Sequence, residues 1–70
     1  MIVMYSTGCP KCRILESKLA KTGETYTIFD DVDKMTEMGM TEVPMLEVNG
    51  KLMNFGEANK WVNEMLAKMN

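Results

Sequence analysis

The 70-residue sequence contains no histidine, so it lacks the side chain that most often acts as a general base or binds a transition metal. It has only two cysteines, too few for the disulfide framework of a small secreted protein. No apolar run approaches the roughly 20 residues that a membrane span needs. Any chemistry must therefore come from the two thiols, the carboxylates, the lysines and backbone groups.

Composition favours a small globular protein. The hydrophobic share is 46% and the charged share 26%, which predicts one folded domain over residues 1–70. A net charge of −2 argues against a general nucleic-acid-binding protein. Residues 1–5 lack the basic region and cleavage site of a signal peptide and are interpreted as a strand. We expect a cytoplasmic monomer without membrane or nucleic-acid partners. In that compartment, two close cysteines are more often catalytic or metal-binding than structural.

The first half of the chain predicts a strand, a helix and a second strand. Residues 2–5 are apolar and β-favouring. Pro10 suits the first position of a helix and Gly23 suits its end, so the helix is predicted from Pro10 to about Thr22. Residues 26–29 predict a strand that lies parallel to the first, because a helix connects the two.

The middle of the chain carries a weaker helical pattern, from Asp33 to Met38. Its candidate buried positions are Val32, Met35 and Met38. The acidic residues around its start are Asp30, Asp31 and Asp33, and capping explains them better than a cation site does.

The last third predicts a hairpin and a helix. Residues 45–48 and 51–53 favour strands, and Asn49-Gly50 between them is typical of a two-residue hairpin turn. The final helix carries an apolar stripe, with Trp61 as its core anchor, at Ala58, Trp61, Val62, Met65, Leu66 and Met69. The order βαβαββα predicts an α/β fold in which three helices flank a four-stranded mixed sheet.

The two cysteines lie at the junction of the first strand and the first helix, as Cys9-Pro10-Lys11-Cys12. A thiolate at a helix N-terminus faces unpaired N–H groups and the positive end of the helix dipole. We predict that Cys9 is the exposed, more ionised nucleophile. Cys12, one turn further on, is predicted as the shielded resolving thiol. Cys9 attacks a substrate disulfide, and Cys12 then displaces the reduced product to leave a Cys9–Cys12 disulfide.

Two segments resemble those of a known family. Residues 5–12 resemble the active-site segment of the dithiol glutaredoxins, which carry Cys-Pro-x-Cys after the first strand. Residues 38–44 resemble the family's second landmark, a short helix, a Gly and a Val-Pro dipeptide before the third strand. The element order matches the minimal thioredoxin fold, so the resemblance covers essentially the whole chain.

The resemblance implies a cis Val43–Pro44 peptide bond that faces the cysteines, with Val43 offering its backbone to an extended substrate. It also implies glutathione as a co-substrate, without a bound cofactor or metal. The substrate-binding residues carried over from the family are Pro10, Lys11, Val43, Pro44, Gly56 and Glu57.

Three departures from the family concern glutathione. Residues 6–8 lack the Lys that in many glutaredoxins pairs with a glutathione carboxylate, and residues 55–58 retain only part of the family's Gly-Gly cap. Glu42 stands where Ser or Thr is common. Lys11 and the N-terminus of the last helix can compensate. A second electron source therefore stays open: thioredoxin reductase, as for the glutaredoxin-like hydrogen donors that feed ribonucleotide reductase.

A Cu(I) chaperone is the alternative from another class, since two thiolates suit Cu(I). Those domains run βαββαβ and end on a strand. The predicted order here, which ends on a helix, favours the oxidoreductase.

Overall fold

A computed structural model describes residues 1–68. Its elements are β1 (Ile2–Tyr5), α1 (Pro10–Lys21), β2 (Thr27–Phe29), α2 (Val32–Glu37), β3 (Met45–Val48), β4 (Lys51–Met53) and α3 (Phe55–Lys68). This order confirms the predicted α/β fold of the minimal thioredoxin type. Met69, predicted on the apolar stripe of α3, lies outside the described residues. No helix within residues 1–68 is both long enough and apolar enough to cross a membrane.

The four strands form one mixed sheet in the order β2-β1-β3-β4. β1 is parallel to β2, as the helical connection predicts, and antiparallel to β3. β3 and β4 form the predicted hairpin. Its turn residues Asn49 and Gly50 have φ values of 50° and 87°, the left-handed backbone that a type I′ turn requires at both positions.

The core lies between the sheet and the helices α1 and α3. Its fully buried side chains include Met4, Leu15, Leu19, Leu46 and Val62. Leu15 and Leu19 are four residues apart and so lie on one face of α1. Trp61 was predicted as the core anchor of α3, but it is only partly buried and packs against the core from its edge. The first turn of α1, which carries the cysteines, therefore packs against the hydrophobic core.

The prediction for α2 was wrong at two of its three candidate buried positions. Met35 is buried, whereas Val32 and Met38 are each 55% exposed. Only residues 32–37 are helical, which is fewer than two turns. Met35 is the one residue of α2 that is buried, and the side chains at the two ends of the helix face solvent. The capping prediction is confirmed at Asp31, whose Oδ1 accepts a hydrogen bond from the Lys34 backbone N–H at 3.1 Å.

Candidate active site

The register of the sheet brings the two sequence landmarks together. Tyr5, the last residue of β1, pairs with Met45, the first residue of β3. The loop that leads to Cys9 leaves the sheet at Tyr5, and Pro44 enters it at Met45. The cysteine segment and residues 43–44 therefore lie at the same end of the sheet, although more than 30 residues separate them in sequence. The Val43–Pro44 peptide bond is cis, which confirms the expectation drawn from the resemblance.

The backbone at the start of α1 places the two thiols in different surroundings. Cys9 is the N-cap residue, and its Sγ accepts a hydrogen bond from the Cys12 backbone N–H at 3.2 Å. Pro10 occupies the first turn, where its missing N–H costs no helical hydrogen bond. Cys9 is half-buried and Cys12 fully buried, and both are free thiols. The predicted contrast between a reachable Cys9 and a shielded Cys12 is confirmed.

The pKa of the Cys12 thiol is lowered. Burial raises the pKa of Cys12, but hydrogen bonds from the Cys9 side chain, the Thr7 backbone and the Ser6 side chain outweigh it and lower the value from 9.0 to about 7. The greater ionisation of Cys9, which the sequence pattern indicates, stays a prediction. Cys12 is thus the buried thiol with the lowered pKa, and Cys9 is the thiol that is partly exposed to solvent.

Ser6 is a site residue that the sequence pattern did not reveal. It is buried, its backbone N–H donates to the Phe29 carbonyl at 3.0 Å, and its Oγ accepts from the Gly8 N–H at 3.1 Å. Its side chain also hydrogen-bonds the Cys12 sulfur. Ser6-Thr7-Gly8 does carry a local signal, because a Ser whose hydroxyl accepts a hydrogen bond from the N–H two residues further on is a recurrent turn motif. Ser6 therefore links the loop to the buried thiol of Cys12.

Tyr5 holds the end of β1 from the other face of the sheet. Its ring packs edge-on against Phe29, with centroids 5.4 Å apart, and its hydroxyl donates to Glu47 Oε1 at 3.2 Å. Burial, and then the hydrogen bond and charge of Glu47, raise the pKa of Tyr5 above 10.0. The hydroxyl therefore stays protonated near neutral pH and anchors the strand beneath the active-site loop.

Lys11 connects the cysteine pair with the start of α3. Pro10 and Lys11 are both exposed, as expected of residues that face a substrate. The Lys11 Nζ lies 5.7 Å from the centre of the Phe55 ring, within the range of a cation–π interaction. Phe55 is the first residue of α3, so Gly56 and Glu57 follow directly behind this contact.

Glu57 forms hydrogen bonds with Asn54 that the family resemblance did not predict. The Glu57 backbone N–H donates to Asn54 Oδ1 at 2.9 Å, and Glu57 Oε1 accepts from the Asn54 N–H at 3.2 Å. This reciprocal arrangement is a capping box. It starts α3 at Phe55, three residues before the first position of the predicted stripe at Ala58. Gly56 and Glu57 are exposed at this helix start, and an anionic ligand there would lie beside the Glu57 carboxylate.

A small groove lies between α2 and the segment that precedes Pro44. Its volume is about 230 Å³. Its lining residues are Thr7, Val32, Met35, Thr36, Met40, Thr41, Glu42 and Val43. We call it the α2 groove. Val43, a predicted substrate-binding residue, and Thr7, two residues before Cys9, both border it, so it is continuous with the candidate active site.

A second groove, of about 400 Å³, shares Thr7 and Val32 with the α2 groove. Its other lining residues are Ser6, Gly8, Glu16, Ile28 and Asp30. A further cavity, of about 460 Å³, lies at the opposite end of β1 and β3, where Met1 and Asn49 line it. Because it is remote from both thiols, we assign it no part in their chemistry.

The part of the chain that the structure describes contains no group of three or more His, Cys, Asp or Glu side chains placed to hold a metal ion. The element order differs from the βαββαβ order expected of the copper-chaperone alternative, since α2 intervenes between β2 and β3 and the described chain ends in α3. The sequence matches no protein-family model, and no curated protein matches it either.

Proposed function

We propose that the chain is a glutaredoxin-like thiol–disulfide oxidoreductase that reduces protein disulfides or glutathione mixed disulfides through Cys9 and Cys12. One observation carries the proposal. A reachable Cys9 caps α1 and accepts the Cys12 N–H, while a buried Cys12 with a lowered pKa lies one turn behind it. This division between an accessible and a sheltered thiol is what a dithiol exchange cycle requires.

The reaction proceeds in two exchanges. The Cys9 thiolate attacks one sulfur of the substrate disulfide, the substrate S–S bond breaks, and the departing thiolate takes up a proton. The Cys12 thiolate then attacks the Cys9 sulfur of the mixed disulfide, which releases the second substrate thiol. The Cys9–Cys12 bond forms, and two electrons have passed from the protein to the substrate.

An external thiol system must return these electrons. Reduced glutathione, itself regenerated by glutathione reductase, is one source that the family resemblance supports. Thioredoxin reductase is the other, as in the glutaredoxin-like donors of ribonucleotide reductase. The cycle needs no bound cofactor, because both electrons reside in the dithiol.

Turnover of a small glutathione mixed disulfide tests the proposal, with glutathione, glutathione reductase and NADPH supplying electrons. A parallel assay replaces these with thioredoxin reductase and a protein disulfide. We expect Cys9-dependent turnover in at least one assay. Cys9→Ser should be inactive, and Cys12→Ser should accumulate the mixed disulfide at Cys9, visible by mass spectrometry. The two variants are matched, because each leaves a single thiol in the chain.

Two results would contradict the proposal. One is equal turnover by the parent and Cys9→Ser. The other is tight Cu(I) binding by a protein that reduces neither substrate, which would favour the metal chaperone despite the element order.

A further inference from the structure

Building on the proposed oxidoreductase function, we infer that its substrate is a protein disulfide with an apolar and a cationic side chain beside the reacting cysteine, and that Glu42 discriminates against anionic glutathione. The apolar side chain occupies the α2 groove, and the cationic one faces the carboxylates around it. The resemblance leaves glutathione and protein disulfides equally open, whereas the lining of the two grooves separates them.

The size and lining of the α2 groove suit one apolar side chain. Its volume of about 230 Å³ is below the roughly 300–1,000 Å³ of pockets that enclose whole small molecules. Met35, which is buried, and Val32, which is 55% exposed, both contribute apolar surface. Met35 and Met40 are unbranched and adapt to side chains of different shape. A groove beside Val43 is also within reach of a residue next to the substrate cysteine.

The charges around the groove exclude an anion. Glu42 is the charged residue of the α2 groove, and Glu16 and Asp30 are the charged residues of the neighbouring groove. No Lys or Arg lines either groove in the described chain. Lys11 is directed elsewhere, toward Phe55. The charged residues that line the two grooves are therefore all acidic, which favours a cationic polypeptide over glutathione, whose two carboxylates outnumber its one ammonium group.

Glu42 is the residue through which this preference can be tested. It is exposed and lies beside Val43, so a change of its charge acts on a bound ligand without removing core packing. A unit charge at about 6 Å near a protein surface changes relative rates by about three- to tenfold. Glu24→Lys is a matched control, since Glu24 is exposed and lines the remote cavity at the other end of the sheet.

The experiment measures single-turnover reduction of defined disulfides by the fully reduced protein. The probes are the disulfide dimers of acetyl-Arg-Cys-Leu-amide, acetyl-Glu-Cys-Leu-amide and acetyl-Arg-Cys-Gly-amide, together with oxidised glutathione. Thiol release is followed by chromatography, and each rate is divided by the rate with dithiothreitol to remove intrinsic differences between the probes. We expect the Arg-Leu probe to react about tenfold faster than the Glu-Leu probe at low salt, with a smaller ratio at high salt.

The variants should move these rates selectively. Glu42→Lys should raise the relative rate with oxidised glutathione by about tenfold, whereas Glu24→Lys should leave it near the parent value. Val32→Ser should slow the Arg-Leu probe and leave the Arg-Gly probe unchanged, because only the first fills the groove. All three changes are at exposed positions, and unfolding in urea confirms that each variant is folded.

The outcomes separate the two proposals. Cys9-dependent reduction of all probes without a charge preference, or a Glu42→Lys variant that behaves like Glu24→Lys, would overturn the substrate assignment and leave the oxidoreductase in place. Oxidised glutathione reacting faster than every peptide would do the same. Absence of Cys9-dependent reduction with every probe would overturn both.

Discussion

Titration of the reduced dithiol provides the sharpest test of the site, because the pKa of the buried Cys12 thiol is lowered. The perturbation is a pair of single substitutions, Cys12→Ser and Cys9→Ala. In the parent, we expect a thiolate to form with a midpoint near pH 7, since the pKa of Cys12 is lowered from 9.0 to about 7. Cys12→Ser should lose this step. Cys9→Ala should move it to higher pH, because alanine has no donor to replace the Cys9 side chain, which supplies the largest of the hydrogen bonds that lower the pKa of Cys12.

The size of the effect follows from the pKa values. At pH 7, a thiol with a pKa of about 7 is about half ionised, whereas one with a pKa of 9.0 is ionised to about 1%, a roughly 50-fold difference. A thiolate of lower pKa is also a weaker nucleophile. With a Brønsted coefficient of about 0.4–0.5, lowering the pKa from 9.0 to about 7 reduces the reactivity of the thiolate roughly tenfold. The resolving step should therefore be about fivefold faster at pH 7 than with an unperturbed thiol.

The same shift has a consequence for stability. The folded-state pKa of Cys12 is below the unfolded-state value, so the stabilisation is complete above about pH 9 and is lost as the pH falls through about 7. Between those limits, the reduced parent should gain on the order of 2 kcal/mol relative to Cys12→Ser. Urea unfolding of both proteins at pH 6 and pH 9 measures the difference.

The assay for ionisation is the ultraviolet absorbance of the thiolate, followed from pH 5 to pH 9, below the range in which Tyr5 ionises. A Cys12→Ser variant that retains the full low-pH step would refute the reasoning. It would show that the charge resides on Cys9, as the sequence pattern alone had suggested.

Three further substitutions test how the site is held in place. Ser6→Ala removes a hydrogen bond to the Cys12 sulfur and the acceptor of the Gly8 N–H, so we expect the Cys12 titration to move to higher pH and the free energy of unfolding to fall by about 1 kcal/mol; an unchanged titration would contradict the role of Ser6. Asn54→Ala removes the N-cap of α3 and should lower the free energy of unfolding in urea by about 1 kcal/mol. Glu57→Gln should lower it by less, because the Gln side-chain oxygen can still accept the Asn54 N–H in a capping box. Equal losses in the two variants would argue against the reciprocal cap.

Sequence periodicity predicted the element order because each element carries a local signal. The turn at Asn49-Gly50, the helix start at Pro10 and the apolar stripe of α3 all act over a few residues. The prediction that Val32 and Met38 are buried was wrong because burial at the ends of α2 depends on whether other parts of the protein pack against them. No local pattern encodes that packing. Trp61 illustrates the same limit, since a large apolar residue on the correct face of a helix can still lie at the edge of the core.

The candidate site divides in a similar way. The contrast in burial between Cys9 and Cys12 was predictable from their spacing and from the strand–helix junction. The Ser6 contact and the position of Lys11 over Phe55 were not, because they join elements whose packing has to be known first. Asn54 and Glu57 did carry a local signal, an Asn followed three residues later by a Glu, but the family resemblance drew attention to ligand binding instead.

Full burial of Cys12 also makes it a reporter of motion. In Cys9→Ser it is the single thiol of the chain, with no exposed surface in the folded state. A bulky maleimide can then react only when the first turn of α1 opens or the whole chain unfolds. Comparing its labelling rate with the rate of global unfolding would show which of these openings exposes the thiol. The residue proposed to complete the redox cycle would thus also measure how often the active-site helix comes apart.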